Sequence, residues 1–263
     1  ISPGPYQAKV RNELACICNA TDRKIASGQF PGVDKYPLLL GHESVGIVEA
    51  IGDKVRNIKI GDRVVGGLVL NPPYPYASGW GGFSEYTLVV DHQAMKADNM
   101  DSEKHGWADV FEIQKVVPAD IPAKAALMLC TWREVYAAFG DFKIDKDDSV
   151  LIFGAGPVGL SFVKFAKLFG LRYIGVVEPE ANKRTKSLEM GADEVFEPDS
   201  PKLKNWAAFR NKPLDAVIDA VGNINIINSV LGLIKFGGSV CLYGVLSDPC
   251  ITIEKHRAPY NFN

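Results

Sequence analysis

The chain has 263 residues, enough for two domains, with a formal net charge of −2 and 47% hydrophobic residues. This near-neutral balance gives no basic surface for nucleic acid or an anionic membrane. No apolar run reaches the roughly 20 residues that cross a bilayer, and no charged-then-apolar targeting segment is expected at the start. The five cysteines (16, 18, 130, 241 and 250) are an odd number without framework spacing. They read as free thiols or metal ligands in a reducing compartment, which places the expected location in the cytoplasm.

Pro3-Gly4-Pro5 marks a turn into a strand over 8–18, and an N-terminal strand that would precede this turn is expected to be missing. Residues 19–40, punctuated by Gly28, Pro31, Gly32 and Pro37, read as loop. The alternating, β-branched run 40–52 reads as a strand, 57–65 as a turn and strand, and 82–90 as another strand. The stretch 71–82 is too rich in Pro, Tyr and Gly for a regular element. Its Tyr74, Tyr76 and Trp80 read as an aromatic surface loop or as pocket lining. Residues 96–112 are polar without periodicity, a surface excursion. The first 121 residues therefore read as a small all-β domain. Pro122 opens a helix to about residue 139.

A different pattern follows. Val150–Phe153 has strand character, then comes Gly154-Ala155-Gly156-Pro157-Val158-Gly159. Apolar positions 160, 163, 165, 166 and 169 suit a helix with one buried face, stopped by Gly170. A second strand, Tyr173–Val177, ends in Glu178. Between a strand and a helix, with an acid at the next strand's end, G-x-G-x-x-G has the context of a dinucleotide-binding fingerprint. Gly154 permits the tight turn, Gly156 lets backbone approach a pyrophosphate, and Gly159 lets helix and strand pack closely. Glu178 can accept hydrogen bonds from both adenosine ribose hydroxyls and repels a 2′-phosphate, which favours NAD over NADP. The alternative is a glycine-rich turn that only packs a βαβ unit.

Helices are expected over 183–190, 201–210 and 224–235, and strands over 194–196, 214–219 and 239–245. Strands alternating with helices describe a parallel, doubly wound sheet over 122–263. Asp219-Ala220-Val221-Gly222 and Tyr243-Gly244-Val245 border the cofactor at strand carboxyl ends, or are simple turns. Lys183 or Arg184 covers the adenine ribose, or is an exposed helix charge. The run Pro249–Ile253 reads as an edge strand across a dimer axis, or as a return strand into the first domain.

Cys18 ends one strand, His42-Glu43 opens the next, and Cys130 lies within the helix from 122 to 139. Two thiolates and an imidazole suit zinc, which in catalytic sites takes three protein ligands and leaves a fourth position open. Singly, these residues read as small buried hydrophobes and a capped strand residue. Beside a dinucleotide site, they read together as a metal centre.

The stretches Cys18-Asn19-Ala20-Thr21-Asp22, Gly41-His42-Glu43-Ser44-Val45-Gly46, Gly61-Asp62-Arg63-Val64, Gly82-Phe83-Ser84-Glu85-Tyr86, Cys130-Thr131 and the glycine hexad occur in one order. In that order the chain resembles the medium-chain, zinc-dependent alcohol and polyol dehydrogenases over nearly its whole length. The resemblance implies an α/β chain with an N-terminal GroES-like β-barrel domain at 1–121 and a Rossmann domain at 122–263. It implies a cleft between them for zinc and nicotinamide, and a C-terminal return segment that is absent after Asn263.

Carried onto this sequence, the family's zinc ligands fall on His42 and Cys130, and Glu43 matches an acid beside the metal that exchanges with water. Thr21 matches the hydroxyl that accepts the substrate's proton. The family pattern Cys-x-Thr/Ser-Asp is one residue shorter than the stretch here. The first ligand is therefore Cys18 through a one-residue bulge, or Asn19 by counting back from Asp22. Thiolate binds zinc far better than a neutral amide, which favours Cys18. Residues 66–90 contain no cysteine, so one catalytic zinc and no structural zinc are expected. Lys24 stands where a proton-relaying histidine is common.

The resemblance thus implies an oxidoreductase that passes hydride from a secondary alcohol, polyol or sugar alcohol to NAD, working as a homo-oligomer, dimer or tetramer. Its cofactor residues would be Gly154, Gly156, Pro157, Val158, Gly159, Glu178, Lys183, Val221, Gly244 and Val245. Its metal residues would be Cys18, His42, Glu43 and Cys130. The irregular spacing at Cys18 also admits a metal-free NAD-binding family member without dehydrogenase activity.

Overall fold

The alternation over residues 8–18 becomes strand β1 (Gln7–Ala15) in the computed structural model, which describes residues 1–206, 212–246 and 250–263. The chain falls into two units, Ile1–Cys130 and Thr131–Asn263. In the first, β1 pairs antiparallel with β3 (Ser44–Ile51) on one side and β6 (Tyr86–Val90) on the other. Strands β4 (Arg63–Val65) and β7 (Lys115–Val116) extend this GroES-like sheet beyond β3. Register breaks after Lys9 and Asn12 let β1 bend around a core of Ala8, Val10, Val48, Ile58, Val64 and Val89.

Two segments expected to be irregular carry structure. Residues 19–40 contain helix α1 (Thr21–Ala26), which buries Ile25 completely. At six residues it is too short to show a helical period. The strand β5 (Ala77–Ser78) lies inside the Pro-rich stretch and pairs in parallel with β2 (Leu38–Leu39). The excursion 96–112 is also anchored. Helix α2 (His92–Ala97) precedes it, and Phe111 is buried with Tyr6, Val90, Ala94 and Met95. Trp107 stacks edge-on against Phe111, and Met100 and Val110 pack on the same cluster, at spacings that follow neither a helical nor a strand period.

The second unit holds the Rossmann-like sheet. Among the described residues its order is β10 (Glu194–Phe196), β9 (Tyr173–Val177), β8 (Ser149–Phe153), β11 (Leu214–Asp219), β12 (Ile234–Leu242), all parallel. Every residue of β8 and β9 is buried, as befits strands covered on both faces. Helix α3 (Ala123–Asp141) contributes Val135, Ala138 and Phe139 to this core. Helix α4 (Pro157–Phe169) contributes Phe162, Val163 and Ala166. The expected face omitted Phe162, because α4 is apolar nearly all round and its sequence does not single out one stripe.

Three boundaries shift. The helix expected over 224–235 ends at Val230, and β12 begins at Ile234. Gly237-Gly238 therefore lies inside a strand, near a register break between Leu214 and Ala216. Of the helix expected over 201–210, Pro201–Lys204 is helical, and residues 207–211 lie outside the described residues. Pro249 also lies outside them, and residues 250–253 form no strand. Backbone groups of Asn261 and Asn263 instead bond along Gly237–Val240. Among the described residues no helix is long and apolar enough to cross a membrane.

One carboxylate ties the amino ends of four strands. Asp215 Oδ2 accepts from Ser149 N at 2.8 Å, Ser149 Oγ at 2.6 Å and Arg172 Nη2 at 3.1 Å, and Oδ1 accepts from Lys235 Nζ. Burial pushes its pKa up, but the bonds from Lys235 and Ser149 outweigh this and hold it below the ordinary 3.8. A folded value below the unfolded one means stability that is present above the unfolded value and lost as pH falls through the folded one. Asp215→Asn is expected to cost about 1–3 kcal/mol at neutral pH and to flatten the acid limb of the Tm–pH curve between roughly pH 5 and 3. Thermal melts of both proteins across that range are the check.

Candidate metal centre and cofactor loop

In the first unit, β1 runs into Cys16-Ile17-Cys18, and a tight turn starts α1 at Thr21. The segment before β3 delivers His42 and Glu43. The Cys18 sulfur, a His42 ring nitrogen and a Glu43 carboxylate oxygen lie within 4.8 Å of one another. His42 Nε2 is 3.7 Å from Glu43 Oε1. Asn19 is exposed, so the extra residue is taken up in the turn and the sulfur of Cys18 faces His42.

Asp22 builds this group. It is 4% exposed, and its two oxygens serve two segments. Oδ2 accepts from Cys18 N at 2.8 Å, and Oδ1 lies 3.1 Å from His42 Nδ1. A proton on Nδ1 directed to Asp22 leaves the lone pair of Nε2 facing the side of Cys18 and Glu43, the arrangement of a metal-ligating histidine held by a carboxylate. Sequence reading singled out Asp22 only as part of a motif. Its bond to His42 spans 20 positions and has no local signal.

The electrostatics follow from this packing. Burial pushes the Cys18 thiol up, but hydrogen bonds from His42, from the Thr21 and Ala20 amides and from the Thr21 hydroxyl bring it below the ordinary 9.0. Burial pulls the His42 imidazole down, but the Cys18 bond and the charges of Asp22 and Glu43 raise it to about 9. The two shifts run in opposite directions, each favouring the charged form of its group, because Cys18 and His42 share a hydrogen bond. A divalent cation would replace the imidazolium proton. Cys241, by contrast, is pushed up to about 12 by burial and is a core thiol.

Cys130 is not in the group of three. It sits half-buried on α3, against a cluster containing Val45, Val65, Val117 and Ala126. Val45 lies three positions beyond His42, so Cys130 belongs to the same neighbourhood without converging as tightly. Thr21 is half-buried at the start of α1, and Lys24 is half-buried on the same helix.

In the second unit the glycine turn joins β8 to α4. Gly154 has φ of 95°, which an L side chain rarely adopts. A Cβ on Gly159 would lie 2.0 Å from Gly154 O, so helix and turn touch there. A Cβ on Gly156 would meet nothing within 4 Å, leaving open space at the α4 amino end. Gly156 caps α4 with no side-chain bond and Pro157 opens it, so Val158 and Gly159 present first-turn amides to that space.

Glu178 is 5% exposed at the end of β9, and its Oε2 accepts from Ala155 N at 2.8 Å. Asp219, 2% exposed, accepts from the amides of Val221, Gly222 and Asn223 at 2.9, 3.1 and 3.0 Å. A Cβ on Gly154 would meet Val221 at 3.0 Å, and one on Gly222 would meet Val245 O at 2.4 Å. Gly154, Val221, Gly244 and Val245 therefore gather at one end of the parallel sheet. Lys183 Nζ donates to Glu180 at 2.6 Å and lies within reach of the Glu178 charge. Arg184 donates to the carbonyls of Glu178 and Pro179 and to Glu197.

Residues 4–99 match the family described as the alcohol dehydrogenase GroES-like domain, and residues 157–257 match that described as zinc-binding dehydrogenase. The chain is 25% identical over 272 residues to the starvation-sensing protein RspB of Escherichia coli (strain K12), over 97% of this chain and 74% of that protein. It is 30% identical over 245 residues to 8-hydroxygeraniol dehydrogenase of Catharanthus roseus, over 83% of this chain and 62% of that protein. A solved zinc-binding dehydrogenase from Sinorhizobium meliloti 1021, bound to NADP, superposes with a TM-score of 0.77 at 25% identity, over 98% of this chain and 75% of that one. The chain thus spans between 62% and 75% of the length of these relatives.

The donor geometry makes a prediction about metal affinity. Cys18→Ser is expected to weaken zinc binding about 100-fold or more, and Asp22→Asn about 10- to 100-fold through the His42 ring. Asn19→Ala is expected to change it less than about threefold, since an exposed neutral amide contributes no ligand. Competition with a chromophoric chelator measures all three.

Proposed function

The chain belongs to the medium-chain zinc-dependent dehydrogenase family, and from that premise we propose that it oxidises an alcohol at the Cys18–His42–Glu43 group with NAD. The observation that carries this reading is the convergence of a cysteine sulfur, an imidazole nitrogen and a carboxylate oxygen within 4.8 Å, a donor set that suits zinc. Cys130 completes the set as a second thiolate, with Glu43 as the ligand that exchanges. When bound, zinc supplies a Lewis acid that lowers the pKa of an alcohol hydroxyl, and the nicotinamide supplies the hydride acceptor.

The chain's own groups do the rest. Asp22 holds the His42 ring in the tautomer that points Nε2 at the metal position. Thr21 Oγ would accept the proton of the alcohol while passing its own on to the cofactor ribose and from there to solvent. The α4 amino end and the open face of Gly156 hold the pyrophosphate, with Pro157, Val158 and Gly159 forming the first turn. Val221, Gly244 and Val245 border the far end of the cofactor. Glu178 accepts from the adenosine ribose and its charge rejects a 2′-phosphate. Arg184 supports the same selectivity, since its guanidinium is committed to protein carbonyls and Glu197. Lys183 covers the ribose.

On this reading residues 1–121 form the catalytic domain and 122–263 the dinucleotide-binding domain. The chain carries one catalytic zinc and no structural zinc, because residues 66–90 offer no thiolate. The protein works in the cytoplasm as a homo-oligomer. The name 8-hydroxygeraniol dehydrogenase points to an alcohol substrate, and secondary alcohols, polyols and sugar alcohols are the starting panel.

Two measurements test the reading. About one zinc per chain is expected, with chelation abolishing alcohol-dependent NAD reduction and added zinc restoring it. A zinc-free protein that folds normally, binds NAD and oxidises no alcohol would instead be the metal-free family member. For the cofactor, Glu178→Gln keeps a hydrogen-bonding side chain and removes the charge. The NAD-over-NADP ratio of kcat/KM should then fall about 10- to 100-fold. An unchanged ratio removes Glu178 from the selectivity.

A further inference from the structure

Trp80 is neither a metal donor nor a cofactor residue, yet it stands against the metal group. Its indole centroid is 5.8 Å from the His42 ring, inclined at 59°. Phe30 meets the same indole edge-on, with centroids 6.1 Å apart and planes at 87°. Trp80 has φ of 70°, in the left-handed region that a bulky side chain rarely occupies. The backbone around it enforces this. Val69 N donates to Trp80 O at 2.7 Å, and Trp80 N donates to Ser78 Oγ at 3.2 Å. On either side, Gly79 N donates to Leu39 O at 2.8 Å and Gly82 N donates to Gly41 O at 2.7 Å. Leu39 and Gly41 belong to the segment that delivers His42, so one clamp positions both the ring and the ligand. Glycine would fit this φ without strain, so the bulky residue is there for its ring.

We propose that Trp80, with Phe30 behind it, is the specificity wall of the site, and that the preferred substrate is an alcohol bearing an aryl group rather than a polyol. The inference rests on the dehydrogenase reading and adds the substrate class to it. The His42 side chain is 24% exposed, so the wall borders accessible space beside the ligand. A polyol brings a hydroxyl on every carbon, and each loses water hydrogen bonds on entry. Aromatic faces return few of these. A flat apolar group loses none, buries area against the rings and gains edge-to-face contact.

The test uses the zinc-loaded protein with NAD and three probes: benzyl alcohol, ethanol and sorbitol. Benzyl alcohol is expected to have the highest kcat/KM. Trp80→Gly, which suits the local φ, should lower the benzyl-over-ethanol ratio of kcat/KM about 10- to 100-fold, mainly through KM. Trp80→Phe should restore most of it. Equal losses on benzyl alcohol and ethanol, or a wild-type preference for sorbitol, would overturn the wall. Equilibrium binding supplies a readout independent of turnover: benzyl alcohol should change the tryptophan fluorescence of the wild type and do so less in Trp80→Phe. Trp80-dependent binding without oxidation of any alcohol would sink the dehydrogenase reading and leave the wall standing. Oxidation of ethanol without benzyl alcohol binding would sink the wall alone.

Discussion

Asp22 is the constraint on which the candidate metal centre depends. One oxygen holds the Cys18 amide, and the other faces the His42 ring. The thiol and the imidazole come from different segments. A carboxylate with one oxygen on each converts two separate chain positions into one donor pair. Because Asp22 is almost wholly buried, that bond is little weakened by solvent and its removal would leave an uncompensated partner.

The same device recurs through the protein. Asp91 accepts from the amides of Arg56, Asn57 and Ala94, joining the turn before residue 58 to the start of α2. Asp219 holds the turn after β11 through three amides, and Glu178 reaches the glycine turn through Ala155 N. Asp215 gathers the amino ends of the parallel strands. Asp91, Asp219 and Glu178 are buried acids that accept from backbone N–H groups, so each fixes a loop without requiring a matching cation, whereas Asp215 is met by Ser149 together with the cations of Arg172 and Lys235. These bonds tie the loops at the candidate sites to the strands that carry them. A site built on loops needs that support if its donor atoms are to stay within bonding range of a ligand.

How far this could be read from the residues depended on distance along the chain. The β8–turn–α4–β9 unit was legible because its signals are local: an apolar strand, glycines at fixed offsets, a helix and an acid. The strands of the first unit were legible from alternation. Short elements were not, as with α1 and β5, because fewer than two turns or pairs give no period. Gly237-Gly238 suggested a turn, but the sheet's pairing carried β12 through it. Phe162 escaped the expected helix face because nearly every face of α4 is apolar.

The order of motifs determined the fold class, and the residue types at Cys18, His42, Glu43 and the glycine hexad determined the kind of chemistry the chain can host. These rest on covalent neighbours, which a sequence states directly. Tertiary structure decided what depends on residues far apart in the chain. It brought the sulfur of Cys18 to His42 and left Asn19 exposed. It joined Asp22 to a ring 20 positions away, and set Trp80 beside that ring. Packing and hydrogen bonding select one such arrangement from many that the same residue list allows, and that selection is made only when the whole chain folds.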